Sequence, residues 1–310
     1  MTRPGAHSYP ATALRAALPA ADAIMRIYEE GGWDVEEKAD TSPLTRADRE
    51  AHEVIVEVLE REAPEVPILS EEGAHLPFAT RTGWKRLWVV DPLDGTKEFL
   101  SRNGEFTVNI ALVEDGVPVL GVVAVPALDT WYVAAVGSGA FRVSRDELDE
   151  AVATADPLGS LSAGAARLEA GRAHGPGAPG VAGAGVAGAG DTGDVARVVA
   201  SRSHLNAETE AFVEKLRARH GEVELVQAGS AVKLCRVAEG AADYYPRLAP
   251  TMEWDTAAGD AVVREAGGRV VQARADGTSD GAPLAYNKED LHNPFFVAIG
   301  KGTMLWAIIA

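Results

Sequence analysis

The chain has 310 residues, 46% hydrophobic and 24% charged, which is enough apolar side chain to bury a substantial core and excludes a disordered protein. A formal net charge of -17 excludes a general nucleic-acid binder, which needs a basic footprint. Cys235 is the single cysteine, so no intramolecular disulfide can form and a reducing compartment fits. Residues Met1 to Pro10 lack the apolar core of a signal peptide and no window reaches transmembrane length, which predicts a cytoplasmic protein without a membrane partner.

In chain order, Ala11 to Glu30 has helical spacing, with Leu14, Leu18, Ala21, Met25 and Tyr28 on one face and Pro19 expected to kink it or start a new turn. An amphipathic helix follows over Arg46 to Glu62, with Ile55, Val56 and Leu59 inward. Strands are predicted at Val66 to Leu69, Arg86 to Val90, Phe106 to Glu114, Val119 to Val125 and Thr130 to Val136, with Asp115 and Gly116 as a hairpin turn. This half reads as helices on an antiparallel or mixed sheet. Between Ala163 and Gly190 the composition shifts to Gly and Ala, too poor in large side chains to offset its ordering entropy, and predicts a flexible surface insertion.

Beyond it, strand signals at Ala196 to Ala200, Val223 to Val226, Asp243 to Tyr245, Arg269 to Val271 and Pro294 to Ile299 are interspersed with helices. Those helices span Ala207 to His220, Ala231 to Ala238 and Glu253 to Ala266, so the second lobe reads as α/β. The divisions expected are residues 1–158, a Gly/Ala-rich segment 159–194 and residues 195–310. The setting of Cys235 is helical, where a lone cysteine acts as a small buried hydrophobe. No GxGxxG follows a strand and opens a helix, so a dinucleotide-binding fold is not supported.

The segment richest in chemistry is Asp91 to Thr96 (DPLDGT). Two carboxylates three residues apart follow an apolar strand, Pro92 is expected to end the ladder, and Gly95 permits a turn that aims N–H groups at an anion. Taken alone it is also ordinary turn chemistry. Ser70 to Gly73 (SEEG) brings acids to the end of a second strand, and Trp254 and Asp255 open a buried helix. Together Glu71, Asp91, Asp94 and Asp255 supply oxygen ligands for two or three hard divalent ions.

These blocks resemble the Mg²⁺-dependent, lithium-sensitive phosphomonoesterase superfamily of the inositol monophosphatases and fructose bisphosphatases, and within it the 3'(2'),5'-bisphosphate nucleotidases of the CysQ group. Further blocks extend the resemblance: Lys38 to Asp48 (KADTSPLTRAD), Lys97 to Phe99, Arg102 to Ile110 (RNGEFTVNI), Ser201 to His204 (SRSH), Val237 to Gly240 and Tyr245 to Arg247. It spans nearly the whole chain except about 144 to 194. The fold implied is α+β, a layered αβαβα sandwich of the inositol monophosphatase and fructose-1,6-bisphosphatase type with two lobes.

The resemblance implies Mg²⁺, two or three ions per site, with Glu71, Asp91 and the Leu93 carbonyl sharing one and Asp91, Asp94 and Asp255 a second. A metal-activated water would attack the phosphoryl group in line, with no covalent phosphoenzyme. Thr96 matches the hydroxyl that orients that water, and Asp48 matches the carboxylate that accepts the Thr96 proton. Asp48 also falls three residues after Thr45, where a helix-capping acid is common. Asp40 lies in a block that resembles a metal-site segment, but Ser42 and Pro43 are equally suited to a turn.

Gly95 and Thr96 would cradle phosphate through their N–H groups, and Lys97, Ser201, His204, Gly229, Ser230, Lys233 and Arg247 would meet the nucleotide. Each of those cations is equally readable as a solvated surface charge, and His204 as a helix-cap histidine. Ala231 departs from a second serine common in the superfamily, and Glu253 before Trp254 favours the nucleotidase group. The activity implied is release of the 3'-phosphate from adenosine 3',5'-bisphosphate, giving AMP, with 3'-phosphoadenylyl sulfate as a further substrate. An inositol monophosphatase, a fructose-1,6-bisphosphatase and a metal-dependent nucleotide sensor remain alternatives. The partner implied is a small anionic nucleotide, and a homodimer is among the arrangements the resemblance allows.

Overall fold

Buried apolar periodicity organises the chain into two large sheets separated by a layer of helices, with a small two-stranded ribbon apart from them. The computed structural model describes residues 9–31, 35–37, 43–74, 76–164, 166–168, 195–200 and 205–303. In the first half these form α1 (Tyr9–Glu30), β1 (Val35–Glu37), β2 (Pro43–Thr45), α2 (Arg46–Glu62), β3 (Ile68–Ser70), α3 (Phe78–Arg81), β4 (Arg86–Asp94), α4 (Thr96–Leu100), β5 (Thr107–Glu114) and β6 (Val117–Val125). After a 3-10 turn come β7 (Thr130–Ala135), β8 (Gly139–Val143), α5 (Arg145–Val152), α6 (Pro157–Gly164) and β9 (Ala166–Arg167). The second half holds β10 (Ala196–Ala200), α7 (Ala207–His220), β11 (Val223–Gln227), α8 (Val232–Ala238), β12 (Tyr244–Arg247), α9 (Ala257–Glu265), β13 (Arg269–Gln272) and β14 (Phe296–Ile299).

Strands β3 to β9 make a seven-stranded sheet in sequence order, antiparallel except for the parallel β3–β4 pair. The second sheet has the order β11-β10-β12-β14-β13. Helices α1 and α2 cover one face of the larger sheet, α8 and α9 lie between the sheets, and α7 covers the far face of the smaller one. This is the αβαβα layering expected from the resemblance. The middle layer is tight because Gly121 on β6 has no side chain, and a Cβ there would come within 2.3 Å of the Ala258 carbonyl on α9. Among the described residues, no helix is long and apolar enough to cross a membrane.

Local chemistry explains the element ends that matter. Thr45 and Asp48 form a reciprocal capping box that starts α2. Asp115 and Gly116, at φ of 47° and 78°, make the tight β5–β6 hairpin that their sequence predicts.

Three expectations are corrected. Pro92 does not end its ladder: β4 bulges between Asp91 and Asp94 and resumes pairing at Asp94 with Thr107, because a bulge tolerates a residue without an N–H. Helix α1 runs through Pro19 as one element. On α2, Val58 rather than Val56 joins Ile55 and Leu59 inside, as three- and four-residue spacing requires.

Of the segment 159–194, residues 159–164 belong to α6 and Ala166–Arg167 to β9, while most of the Gly and Ala run lies outside the described residues. Ser201, His204 and Asp40 lie outside them as well.

Candidate active site

The bulge in β4 aims two carboxylates from adjacent points of one strand. Asp91 is 1% exposed, and its Oδ1 accepts a 3.0 Å bond from the Leu93 N–H, so the carboxylate folds back on its own turn. Glu71 follows β3, and its N–H donates to the Val90 carbonyl at 3.1 Å, pinning that loop beside the end of β4. Asp255 arrives from the distant lobe, in the turn preceding α9, where its Oδ2 accepts from the Met252 N–H at 2.9 Å.

Carboxylate oxygens of Glu71, Asp91 and Asp255 all lie within 4.8 Å of one another. This trio cuts across the two ligand sets expected from the sequence. Asp94 stands beside it and shares the wall of a cleft with Asp255.

Burial raises the proton affinity of the three aspartates, and the repulsion of neighbouring carboxylates raises it further. Asp91 is pushed well above the usual carboxylate range by burial, then by Glu71, Asp94, Asp255 and Asp48. Asp94 is raised to about 6 by burial, against the opposing charge of Lys233 and with Glu98 and Glu71 adding to the rise. Asp255 is raised to about 7 by burial and then by Asp94. A donor set of carboxylate oxygens with this much unfavourable negative charge fits a hard divalent cation.

Past Asp94 the chain turns at Gly95, whose φ is 89°, and enters α4 with Thr96 at its first position. Thr96 Oγ1 donates to Asp48 Oδ1 at 3.3 Å, while Asp48 Oδ2 accepts from the Thr45 N–H at 2.7 Å and its hydroxyl at 2.6 Å. One Asp48 oxygen therefore caps α2 and the other meets Thr96.

On the opposite wall, Ser230 Oγ donates to the Asp94 carbonyl, and the Gly229 N–H donates to Glu105 at 2.8 Å. Lys233 is buried with its Nζ 5.9 Å from the centre of the Tyr245 ring, and Arg247 Nη2 donates to the Pro250 carbonyl at 2.9 Å. Lys97 is exposed on α4 and does not line the cleft.

The cleft between Asp94, Asp255, Ser230, Lys233 and Arg247 spans about 340 Å³ with open solvent counted. An adjoining hollow of about 550 Å³ continues past Lys233, Tyr245 and Arg247 toward Leu205 and Asn206. Carboxylates therefore stand at one end of a continuous groove and cations along its middle.

The sequence profile of the Inositol monophosphatase family matches residues 7–176 and 177–295. The chain belongs to the inositol monophosphatase family. Among family relatives, it is 40% identical to a protein of Escherichia coli (strain K12) described as 3'(2'),5'-bisphosphate nucleotidase CysQ, over 89% of this chain and 94% of the relative. The crystal structure of CysQ from Bacteroides thetaiotaomicron superposes with a TM-score of 0.76 at 46% identity, covering 96% of this chain and 98% of that one. The extragenic suppressor protein suhB from Bartonella henselae superposes at 0.67 with 25% identity, covering 96% and 95%.

Several residues of this inositol monophosphatase fold that touch the site were not singled out by the sequence. Thr107 Oγ1 reaches Asp94 Oδ2 at 3.5 Å, Glu105 holds Gly229, and His52 Nδ1 lies 2.9 Å from Ser70 Oγ, next to Glu71. The signal in the sequence was polar residues at alternate positions of an otherwise apolar strand, Thr107 and Asn109 in TVNIALVE.

Proposed function

We propose that the chain is a Mg²⁺-dependent phosphomonoesterase that removes the 3'-phosphate of adenosine 3',5'-bisphosphate, giving AMP and phosphate, and that also accepts 3'-phosphoadenylyl sulfate. The observation that carries this reading is the opening of the Glu71, Asp91 and Asp255 trio, through Asp94, onto a groove flanked by Lys233 and Arg247. The relatives described as bisphosphate nucleotidases support the same substrate class.

Glu71, Asp91, Asp94 and Asp255 would hold the metal, with the Leu93 carbonyl as a further oxygen donor. Bound there, divalent ions supply charge neutralisation on the phosphoryl oxygens and acidify water. The protein does the rest by placement. Because the Thr96 proton is directed at Asp48, the Thr96 oxygen keeps lone pairs for a water approaching the phosphorus, and Asp48 is the acceptor behind it. Asp48 is held in that attitude by two bonds from Thr45, so it need not reorganise as charge develops.

The backbone N–H groups at Gly95 and Thr96, at the start of α4, face the reacting phosphate. Lys233 and Arg247 meet the second phosphate further along the groove, where a guanidinium offers bidentate contact. The adjoining hollow is the proposed place of the nucleoside. Ser201 and His204 are proposed to contact the nucleotide.

Phosphate release from adenosine 3',5'-bisphosphate, inositol 1-phosphate and fructose 1,6-bisphosphate, each with Mg²⁺ and after chelation, tests the assignment. The bisphosphate nucleotide is expected to have the highest kcat/KM. Lys233→Ala is expected to raise KM for the bisphosphate by about 10-fold, the value of one charge-assisted contact, and to change KM for a simple monophosphate far less. Equal losses on both substrates would remove Lys233 from this role.

A further inference from the structure

The large sheet is lined with apolar residues on the face that meets α8 and α9, with an exception beside the carboxylate trio. Strand β5 turns Ala111 and Val113 toward that face, and both belong to the core between the sheets. Asn109 precedes them in the same alternation, pairs with Val123 on one side and lies directly opposite Asp91 on the other. Directly paired residues of an antiparallel ladder put their side chains on the same face with Cβ atoms about 5 Å apart.

Asn109 is 1% exposed, and neither Nδ2 nor Oδ1 has a hydrogen-bond partner among the described residues. Buried amides are nearly always paired, so an orphan at both ends calls for a specific reason. A stable core would place valine here.

Position supplies the reason. On β5, Thr107 stands opposite Asp94 and already bonds it, and Asn109 stands two residues on, opposite Asp91. Helix α9 crosses the same face with Ala258 pressed on Gly121, which itself pairs with Ala111. Asp255 lies three residues before Ala258, and its carboxylate is within reach of Asp91. Asn109 therefore stands opposite Asp91 on the sheet face that α9 covers.

We propose that Asn109 is a positioning residue for the metal site, its amide, unbonded as the structure stands, turning to donate to the Asp91 carboxylate and to accept from water on the bound ion. The proposal rests on the metal-site reading above. A neutral amide fits this position because its N–H donors orient a ligand carboxylate without adding a positive charge that would repel the cation, while its oxygen accepts a hydrogen bond from water. As a partner of a ligand rather than a ligand, it would set metal affinity and leave the grip on the nucleotide to the far end of the groove.

Asn109→Val distinguishes this role from simple core filling, because valine matches the strand and removes the buried amide. The measurements are Mn²⁺ binding by calorimetry without substrate, the Mg²⁺ concentration for half-maximal activity, KM at saturating Mg²⁺ and Tm in chelator. Expected are an unchanged or raised Tm in chelator, Mn²⁺ affinity reduced about 10- to 100-fold with a matching rise in the Mg²⁺ requirement, and KM changed by less than about threefold. Asn109→Ser, smaller and still polar, provides the same readout if the valine variant does not fold, with weakened Mn²⁺ binding again expected.

Mn²⁺ affinity within about twofold of wild type in a folded variant overturns the proposal, as does an affinity loss accompanied by an equally large fall of Tm in chelator. Failure of the wild-type protein to bind Mn²⁺ overturns the metal reading itself, which separates the two failures.

Discussion

Ser230 Oγ donates a 3.0 Å hydrogen bond to the backbone carbonyl of Asp94, across 136 residues of sequence. The same oxygen occupies the place a side chain on Gly95 would take, 1.9 Å from the position of its Cβ. The smaller lobe therefore locks directly onto the turn that presents Thr96.

Gly95→Ala is expected to be inactive. Its φ of 89° costs an L-residue about 1–2 kcal/mol, and the overlap with Ser230 adds to that. Thermal unfolding should move down by at least about 4 °C, with activity falling about 100-fold as the turn is displaced. Adding Ser230→Gly removes the overlap and suits the φ of 45° at that position, so the double variant should regain part of the lost Tm. No recovery would show that the Ser230 contact is not what excludes a side chain.

Asp255→Asn is expected to abolish turnover while raising the Tm of the chelator-treated protein at pH 8. The carboxylate is buried against Asp94 and raised to about 7, so in its ionised form it opposes folding until a cation is bound. A variant less stable than wild type in chelator would contradict that electrostatic account.

Stability of the metal-free protein should fall as pH rises. Asp94 and Asp255 are raised in the fold to about 6 and about 7 from an ordinary 3.8, so the folded state holds protons that the unfolded chain releases. Their contribution is complete below about pH 4 and is lost as pH passes through those raised values. Added Mg²⁺ replaces the protons, and the Tm gain on adding Mg²⁺ should be larger at pH 8 than at pH 5.5. Differential scanning fluorimetry across that range checks the sign.

Thr96→Val and Asp48→Asn should each lower kcat, and the double variant should lose little more than the worse single one, because the two side chains share one hydrogen bond. Asp48→Ala should in addition cost about 1 kcal/mol of stability by opening the capping box on α2. Additive losses in kcat would separate Thr96 from Asp48.

Much of the local structure was legible. Helices α2 and α7 and strand β10 begin and end at the residues their patterns predict. Helix α5 was missed although Ser144 and Glu147 spell out a capping box, and β8 was missed as well. The carboxylates of the site were legible because their blocks resemble a family. The roles of Glu105, Thr107 and Asn109 were not, since their block extends the resemblance without assigning them, and Thr107 and Asn109 gain theirs from the residues opposite on β4.

By itself the sequence determined the inventory: the elements, the turns at Gly95 and Asp115 to Gly116, the family and the acidic residues that serve its chemistry. These follow from spacing, capping and backbone preference, which act over a few residues. Tertiary structure alone decided that Glu71, Asp91 and Asp255 draw together, that Asp48 serves both Thr45 and Thr96, and that Ser230 closes on Gly95. Distances between groups remote in the chain depend on how α8 and α9 pack between the two sheets, and local preference carries no information about that docking.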